Sequence, residues 1–234
     1  MIRCMDPAVF RKIPAFNQLG TPALNALLEI SHLHELKGGE QLLHRGDLMR
    51  AFYIIQSGGV RLMNYGADGQ AFALKLYGEG DIFGLLTVSS PYPHPNTIEA
   101  VKDSVIISTD GQQLRKLILR FPELGLLIVD LLAVHIHEGH QRVQHMATRR
   151  VDRRIAHCLM KLSDKFGQQE ASHISLDVPL SQRDLAEFAN TTVETVNRTL
   201  TVWEKEGVLV CSHKHIDILD YNYLKTLVED TVPA

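Results

Sequence analysis

Glu194 and Arg198 stand four residues apart, one turn of a helix, with Val193 and Asn197 beside them. Each of these side chains matches a base edge. A carboxylate accepts from cytosine N4, a guanidinium forks onto O6 and N7 of guanine, and valine fits against a thymine methyl. Thr192 and Thr195 carry the short hydroxyls that suit phosphate oxygens. Such a set would recognise double-stranded DNA through its major groove. No nucleophile paired with a base is visible anywhere in the chain, so the expectation is a binding protein and not an enzyme.

Recognition of this kind needs a rigid helix held out from a small domain. Ser181 reads as the cap of a short helix over 182–188, with Asp184 three residues on completing a capping box and Leu185, Ala186 and Phe188 on its inner face. Ala189, Asn190 and Thr191 form a turn, and Asn190 is among the few non-glycine residues that tolerate positive φ. A second helix from Thr192 buries Val196, Leu200 and Trp203 at helical spacing, and Gly207 closes it. The segment 208–219 then reads as two strands around a tight turn, a wing. Ser181 and Gln182 at the head of the first helix, and His213 in the wing, complete the expected DNA-facing set; His213 and His215 read as phosphate neighbours rather than metal ligands.

The 234 residues suffice for two modest domains. No apolar run approaches the ~20 residues of a membrane span, and no secretory leader is visible at the start, so a cytoplasmic protein is expected. Cys4, Cys158 and Cys211 are too scattered for a zinc site or a disulfide framework. Residues 151–234 carry 9 Lys and Arg against 13 Asp and Glu, a net of −4, so affinity for DNA must rest on placement of charge and not on its total. Arg142, Arg149, Arg150, Arg153 and Arg154 crowd one stretch, either toward phosphates or as a solvated helix face.

Upstream, residues 6–30 read as short helices, with Thr21 as cap and Pro22 at the first helical position. Between Leu36 and Ser108, short apolar runs alternate with glycine-bearing turns at Gly38-Gly39, Gly46-Asp47, Gly58-Gly59, Asp68-Gly69 and Gly80-Asp81, the signature of an antiparallel roll, barrel or sandwich. A helix over 112–120 follows, and Pro122 opens a longer one. On it Gly125, Val129, Leu132, Ile136, Gly139, Val143 and Met146 alternate steps of four and three, the repeat of a coiled-coil seam and hence of a homodimer. A second stripe, Leu124, Leu127, Leu131 and Val134, is expected to face the roll. Val151 to Phe166 form a further amphipathic helix capped by Gly167, residues 167–172 a loop, and 173–178 a strand. The fold class is α+β: an antiparallel β-roll over 1–121, to which the resemblance described next gives an effector-sensing role, a long dimerisation helix and hinge over 122–150, and a winged helix-turn-helix over 151–234.

Nearly the whole chain resembles the Crp/Fnr superfamily. GGEQLLHRGD (38–47), FYIIQSGGVRL (52–62), GDIFG (80–84), the long helix after FPEL (121–124), VDRRIAHCLMKL (151–162) and SQRDLAEFANTTVETVNRTL (181–200) follow the family's order and spacing. The resemblance implies a cyclic-nucleotide-binding-like jelly roll, a homodimer, paired recognition helices on a palindrome, and an effector held between roll and long helix. It implies RNA polymerase as a partner if the protein activates, and no membrane. TTVETVNR (191–198) is closer to the Fnr branch, which implies a TGA-containing half-site read by Glu194 and Arg198 in the manner of TTGAT, with Asn197 where that branch commonly has Ser.

The effector positions depart from the family. Where cyclic-nucleotide binders place a ribose-holding Glu after the cassette glycine, Gly84, this chain has Leu85. The later cassette, YPHPN (92–96), lacks Arg, and the long helix offers Gly139 and His140 in place of hydroxyl residues. A buried cyclic phosphate without its guanidinium is costly, so cyclic AMP is not expected. An iron-sulfur cluster needs four Cys, and the chain has 3. His94, Asn96, Gly139 and His140 leave two readings open. One is a redesigned pocket for haem or another bulky ligand; the other, favoured about two to one, makes both His partly exposed polar residues. His135 and His137 stand two apart on a helix and point to nearly opposite sides, so they cannot chelate one metal together; no metal site is expected. The chain therefore reads as a ligand-gated DNA-binding regulator. Two alternatives are an effector-independent regulator controlled by abundance and, disfavoured, a jelly-roll metalloenzyme.

Overall fold

In the computed structural model, described over residues 8–11, 13–65, 71–148, 150–212 and 215–229, contacts divide the chain into two units. One comprises 1–62 and 76–140, the other 63–75 and 141–234.

The first unit begins with a short helix, α1 (Ala8–Arg11), a 3₁₀ turn over Pro14–Phe16, and α2 (Thr21–Glu29). Gly20, not Thr21, is the cap of α2, and no side chain serves the cap; Thr21 and Pro22 fill its first two positions. Pro at the second position is harmless for the same reason as at the first, since the early N–H groups have no partner within the helix. Ten strands follow, with 63–65 of β5 and 71–75 of β6 counted in the second unit: β1 (Ser31–Leu36), β2 (Gln41–Leu43), β3 (Leu48–Met49), β4 (Ala51–Ser57), β5 (Gly59–Tyr65), β6 (Ala71–Gly78), β7 (Ile82–Phe83), β8 (Tyr92–Pro93), β9 (Thr97–Ala100) and β10 (Ser104–Asp110). They form two four-stranded sheets, β1-β10-β4-β7 and β2-β9-β5-β6, and a small pair, β3-β8.

Strand β4 explains the continuous apolar run FYII. Phe52 and Ile54 join a cluster with Leu24, Leu27, Leu114, Leu124 and Leu127, on the face covered by helices. Tyr53 and Ile55 point the other way, into a cluster inside the roll with Val60, Tyr77, Phe83 and Ile98. Alternation with both faces buried produces an unbroken hydrophobic string. Gly58 makes the turn from β4 to β5 at φ +81°, and an added Cβ would lie 2.4 Å from Ser104 Oγ and 2.5 Å from the Asp103 carbonyl. Only glycine fits there.

Helix α3 (Gly111–Arg120) is capped by the Asp110 side chain, which accepts from the Gln113 N–H. Helix α4 (Pro122–Thr148) follows without a break longer than one residue. Leu124, Leu127 and Ile128 are buried in the helix-covered cluster, with Leu131 and Leu132 packed at its edge. Two expectations change here. Val134 is exposed and does not face the roll, whereas Leu132, assigned to the outer seam, packs against its own unit. Gly125 likewise faces inward, since its Cβ would meet Ile118 at 3.1 Å. The cause is the helical repeat of 3.6, which drifts against a strict 3.5 pattern.

The second unit holds α5 (Val151–Phe166), with Ile155, Ala156, Leu159, Leu162 and Phe166 buried. Gly167 ends it at an ordinary φ of −72°, so handedness is not the reason for glycine. A Cβ would sit 2.3 Å from the Ser163 carbonyl. The expected loop after it contains β11 (Gly167–Gln169), which pairs antiparallel with β12 (Ile174–Leu176). Then come α6 (Gln182–Phe188), α7 (Val193–Lys205), β13 (Leu209–Ser212), β14 (His215–Ile218) and α8 (Tyr221–Glu229), the last not foreseen. The sheet order is β11-β12-β14-β13, so the wing is the edge of a four-stranded sheet and not a free hairpin. No helix among the described residues is long and apolar enough to cross a membrane.

Candidate nucleic-acid interface

The site is built from α6, the turn after it and α7. Ser181 caps α6 through a full capping box: its Oγ accepts from the Asp184 N–H at 3.1 Å, and Asp184 Oδ2 accepts from the Ser181 N–H at 2.9 Å. The buried Asp184 has a further donor within this unit, the Ala73 N–H, 2.7 Å from Oδ1. A buried carboxyl group surrounded by hydrogen-bond donors has its burial offset and fixes the start of the helix. Gln182, next along, is exposed.

The turn places Asn190 at φ +48°, the one described non-glycine residue in that region. A feature the sequence did not disclose secures it. Arg154, from the first turn of α5, donates through Nε to the Ala189 carbonyl at 2.8 Å and through Nη2 to the Asn190 carbonyl at 3.1 Å. One guanidinium thus answers the carbonyls left open where α6 stops. Of the arginine run this member is a structural clamp on the turn. Arg150 lies 3.6 Å from Asp152, Arg153 is also engaged, Arg149 lies outside the described residues and the side chain of Arg142 does too.

Thr192 caps α7, accepting from the Thr195 N–H at 3.2 Å, and the two threonine hydroxyls lie 2.9 Å apart. Both are therefore occupied in starting the helix. Val196, Leu200 and Trp203 bury its inner face, with Trp203 edge-on to Tyr223 at 6.4 Å. Val193, Glu194 and Arg198 are exposed on the outer face, and neither charged side chain is engaged by another described residue. Asn197 differs from them. It is half-buried, and its Oδ1 is buried without a hydrogen-bond partner among the described residues.

Between the head of α6 and the wing a cleft of about 340 Å³ is lined by Ser181, Gln182, Cys211, Ser212 and His215. Burial, reinforced by Glu204, pushes the Cys211 thiol up to about 11, so it stays protonated and unreactive at neutral pH. His215 Nε2 is shared between Ser175 Oγ at 2.8 Å, a bond that ties β14 to β12, and Asp217 Oδ1 at 3.0 Å within β14 itself. His213 lies outside the described residues.

The residues expected to hold an effector fall in separate surroundings of the first unit. Gly84 sits at φ +81° against Met49 and the Ala51 carbonyl, and Leu85 belongs to the helix-covered core. His94 is buried rather than partly exposed, because its Nδ1–H donates to the Asn96 carbonyl at 2.6 Å and its backbone is clipped to Gly46 and Asp47. Asn96 is buried beside it. Gly139 and His140 are exposed on α4. Of the seam positions, Val129, Ile136 and Val143 are exposed, while the side chain of Met146 lies outside the described residues.

The comparisons with known proteins agree with this architecture. Residues 33–121 match the cyclic nucleotide-binding domain family, and residues 153–227 match the Crp-like helix-turn-helix domain. A CRP-like cAMP-activated global transcriptional regulator of Mycobacterium tuberculosis is 25% identical over 88% of this chain and 92% of its own. The fumarate and nitrate reduction regulatory protein of Vibrio cholerae is 24% identical over 97% of this chain and 90% of its own. Among solved structures, a CRP/FNR-family transcriptional regulator of Thermus thermophilus superposes with a TM-score of 0.69, covering 85% of this chain and 99% of that one at 24% identity. FixK2 from Bradyrhizobium japonicum gives 0.70 over 88% and 100%, at 20% identity. With an N-terminal jelly roll, a C-terminal DNA-binding helix-turn-helix and full-length relatives that regulate transcription, this chain belongs to the Crp/Fnr superfamily of transcription regulators.

Proposed function

We propose that the protein acts as a homodimer that reads a palindrome with TGA-containing half-sites, Glu194 accepting from cytosine and Arg198 forking onto guanine. The observation carrying this is the unengaged, exposed pair Glu194 and Arg198, one turn apart on a helix whose other face is anchored by Val196, Leu200 and Trp203. Val193 lies toward a thymine methyl, and the α6 head at Ser181 and Gln182 toward the backbone. The dimer forms along the exposed apolar side of α4, so that two recognition helices enter successive major grooves. This divides the chain into a sensing roll (1–121), a dimerisation helix (122–150) and a reader (151–234). RNA polymerase is a partner where the protein activates.

The mycobacterial relative is named for activation by cAMP; for this chain we expect a different signal. Leu85 fills the position of a ribose-holding carboxylate and packs in the core, and YPHPN offers no guanidinium. The same observation favours a second reading, control by abundance without effector. Electrophoretic mobility shift on a TTGAT-type palindrome and on its scrambled counterpart tests the DNA reading: equal affinity for the two would end it. A thermal-shift screen with cyclic nucleotides and haem tests the effector reading. Stabilisation by cyclic AMP at micromolar concentration would overturn the exclusion, and stabilisation by haem would favour the pocket over abundance control.

A further inference from the structure

The exposed side of α4 has a sharper register than its sequence pattern suggests. Leu126, Val129, Ile136 and Val143 are 67%, 61%, 57% and 66% exposed. With Ala133 and His140, also exposed, they occupy positions 126, 129, 133, 136, 140 and 143, steps of three and four. That is a heptad seam displaced by one residue from Leu132 and Gly139 toward Ala133 and His140. It lies opposite Leu124, Leu127 and Leu131, which hold α4 to its own unit.

A self-complementary two-fold seam brings each central residue close to its own copy. The single polar member of this row is His140. Three residues before it, on the adjoining flank, stands His137, also exposed. Side chains three apart on a helix are neighbours, about 5–6 Å between Cβ atoms, near enough for two imidazoles to hold one ion. His137 and His135 cannot do so, being two apart; His137 and His140 can. Gly139 between them has nothing within 4 Å of a would-be Cβ. Among the described residues of one copy, no three His, Cys, Asp or Glu side chains form a metal-holding group. One copy thus offers at most the His137 and His140 pair, and a four-ligand site would take the same pair from a second copy.

We propose that two copies of α4 bind one divalent transition-metal ion of the zinc class at the dyad, through His137 and His140 of each. Four imidazoles from facing helices give the tetrahedral nitrogen set that zinc and cobalt(II) accept, and sites of this kind are built in helix bundles from residues three apart. The ion would cross-link the seam and weight the dimer toward one packing of its helices. Binding requires neutral imidazoles and so weakens as pH falls. The inference rests on the dimer proposed above.

The test is cobalt(II) titration of the full, tag-free chain, with sedimentation equilibrium run in parallel in chelator and with metal. The expected result is one cobalt per dimer with the intense visible bands of tetrahedral coordination. Those bands are lost in His140→Ala and in His137→Ala, each checked for folding by circular dichroism, and retained in His135→Ala. A dimer in chelator that takes up no cobalt, or one whose cobalt spectrum is unchanged in His140→Ala, overturns the metal site and leaves the dimer standing. A monomer both with and without metal overturns the dimer and the site together. A monomer in chelator that dimerises with cobalt supports both.

Discussion

The outer face of α7 and the segment from Gly84 to Asn96 of the roll contrast in how their polar groups are spent. On α7, Glu194 and Arg198 are exposed with no partner among the described residues, while Thr192 and Thr195 bond each other. In the roll segment, His94 bonds the Asn96 carbonyl, the His94 backbone closes the Gly46–Asp47 turn, and Leu85 joins the core. A surface with exposed, uncommitted donors and acceptors is ready for an external partner. One whose groups are satisfied internally must break its own bonds to take a ligand. This is why the α7 face declares its partner and the roll does not.

The largest expected effect breaks the reader alone. On the function proposed above, Arg198→Ala removes a bidentate base contact worth about 1–3 kcal/mol at each half-site. Counted over a palindrome, specific affinity falls by roughly 30-fold to 10⁴-fold. Binding to scrambled DNA falls far less, by the loss of one positive charge, and the unfolding midpoint stays as in the parent, because Arg198 is exposed and engaged by no other described residue. Competition binding with specific and scrambled duplexes checks it; a parallel loss on both sequences would make Arg198 a backbone contact. Glu194→Ala is expected to relax discrimination at a neighbouring base in the same assay.

Two glycines sharpen the other half of the comparison. Gly58→Ala forces a Cβ into the Ser104 backbone at a left-handed φ and is expected to cost about 2–4 kcal/mol. Gly139→Ala meets nothing and is expected to stabilise α4 by up to ~1 kcal/mol. Urea unfolding curves of the two variants should therefore move in opposite directions. If both destabilise equally, α4 is not open at Gly139.

A smaller effect separates a residue of the fold from one of the reading face. Arg154→Met keeps much of the aliphatic stem but deletes the bonds to Ala189 and Asn190. We expect a stability loss of about 1–3 kcal/mol and weaker binding to specific and scrambled DNA in the same ratio, unlike Arg198→Ala. Improved discrimination or an unchanged midpoint would count against the clamp.

These cases also mark what the sequence could disclose. Helix α5 matches the reading residue for residue, and α7 differs only in placing Thr192 outside as cap, because amphipathic spacing and capping residues are local signals. Asn190 was legible for the same reason. Arg154 was not: that it binds carbonyls 35 and 36 residues away depends on how α5 packs against the turn, and a run of arginines looks alike whatever it meets. The seam on α4 was legible as a period but not in its register, since Val129, Ile136 and Val143 satisfy either choice and only the packing of Leu132 decides. Strand β11 was hidden because Gly167, Gln168 and Gln169 carry a loop's composition; its pairing with β12 makes it a strand.

The smallest expected effect places a pH dependence in the roll rather than the reader. His34 on β1 is half-buried, its Nε2 2.7 Å from Ser108 Oγ on β10. Burial, with a lesser contribution from His32, lowers its pKa below the ordinary 6.5. The unfolded chain thus binds this proton more readily than the folded one. The contribution to stability is complete above pH 6.5 and is lost as pH falls through the folded pKa. In His34→Gln, which retains a hydrogen-bonding side chain toward Ser108, the drop in unfolding free energy between about pH 7.5 and about pH 5.5 should be smaller than in the parent. An equal drop in both would assign the acid sensitivity to other groups and leave β1 and β10 without a proton-linked contact.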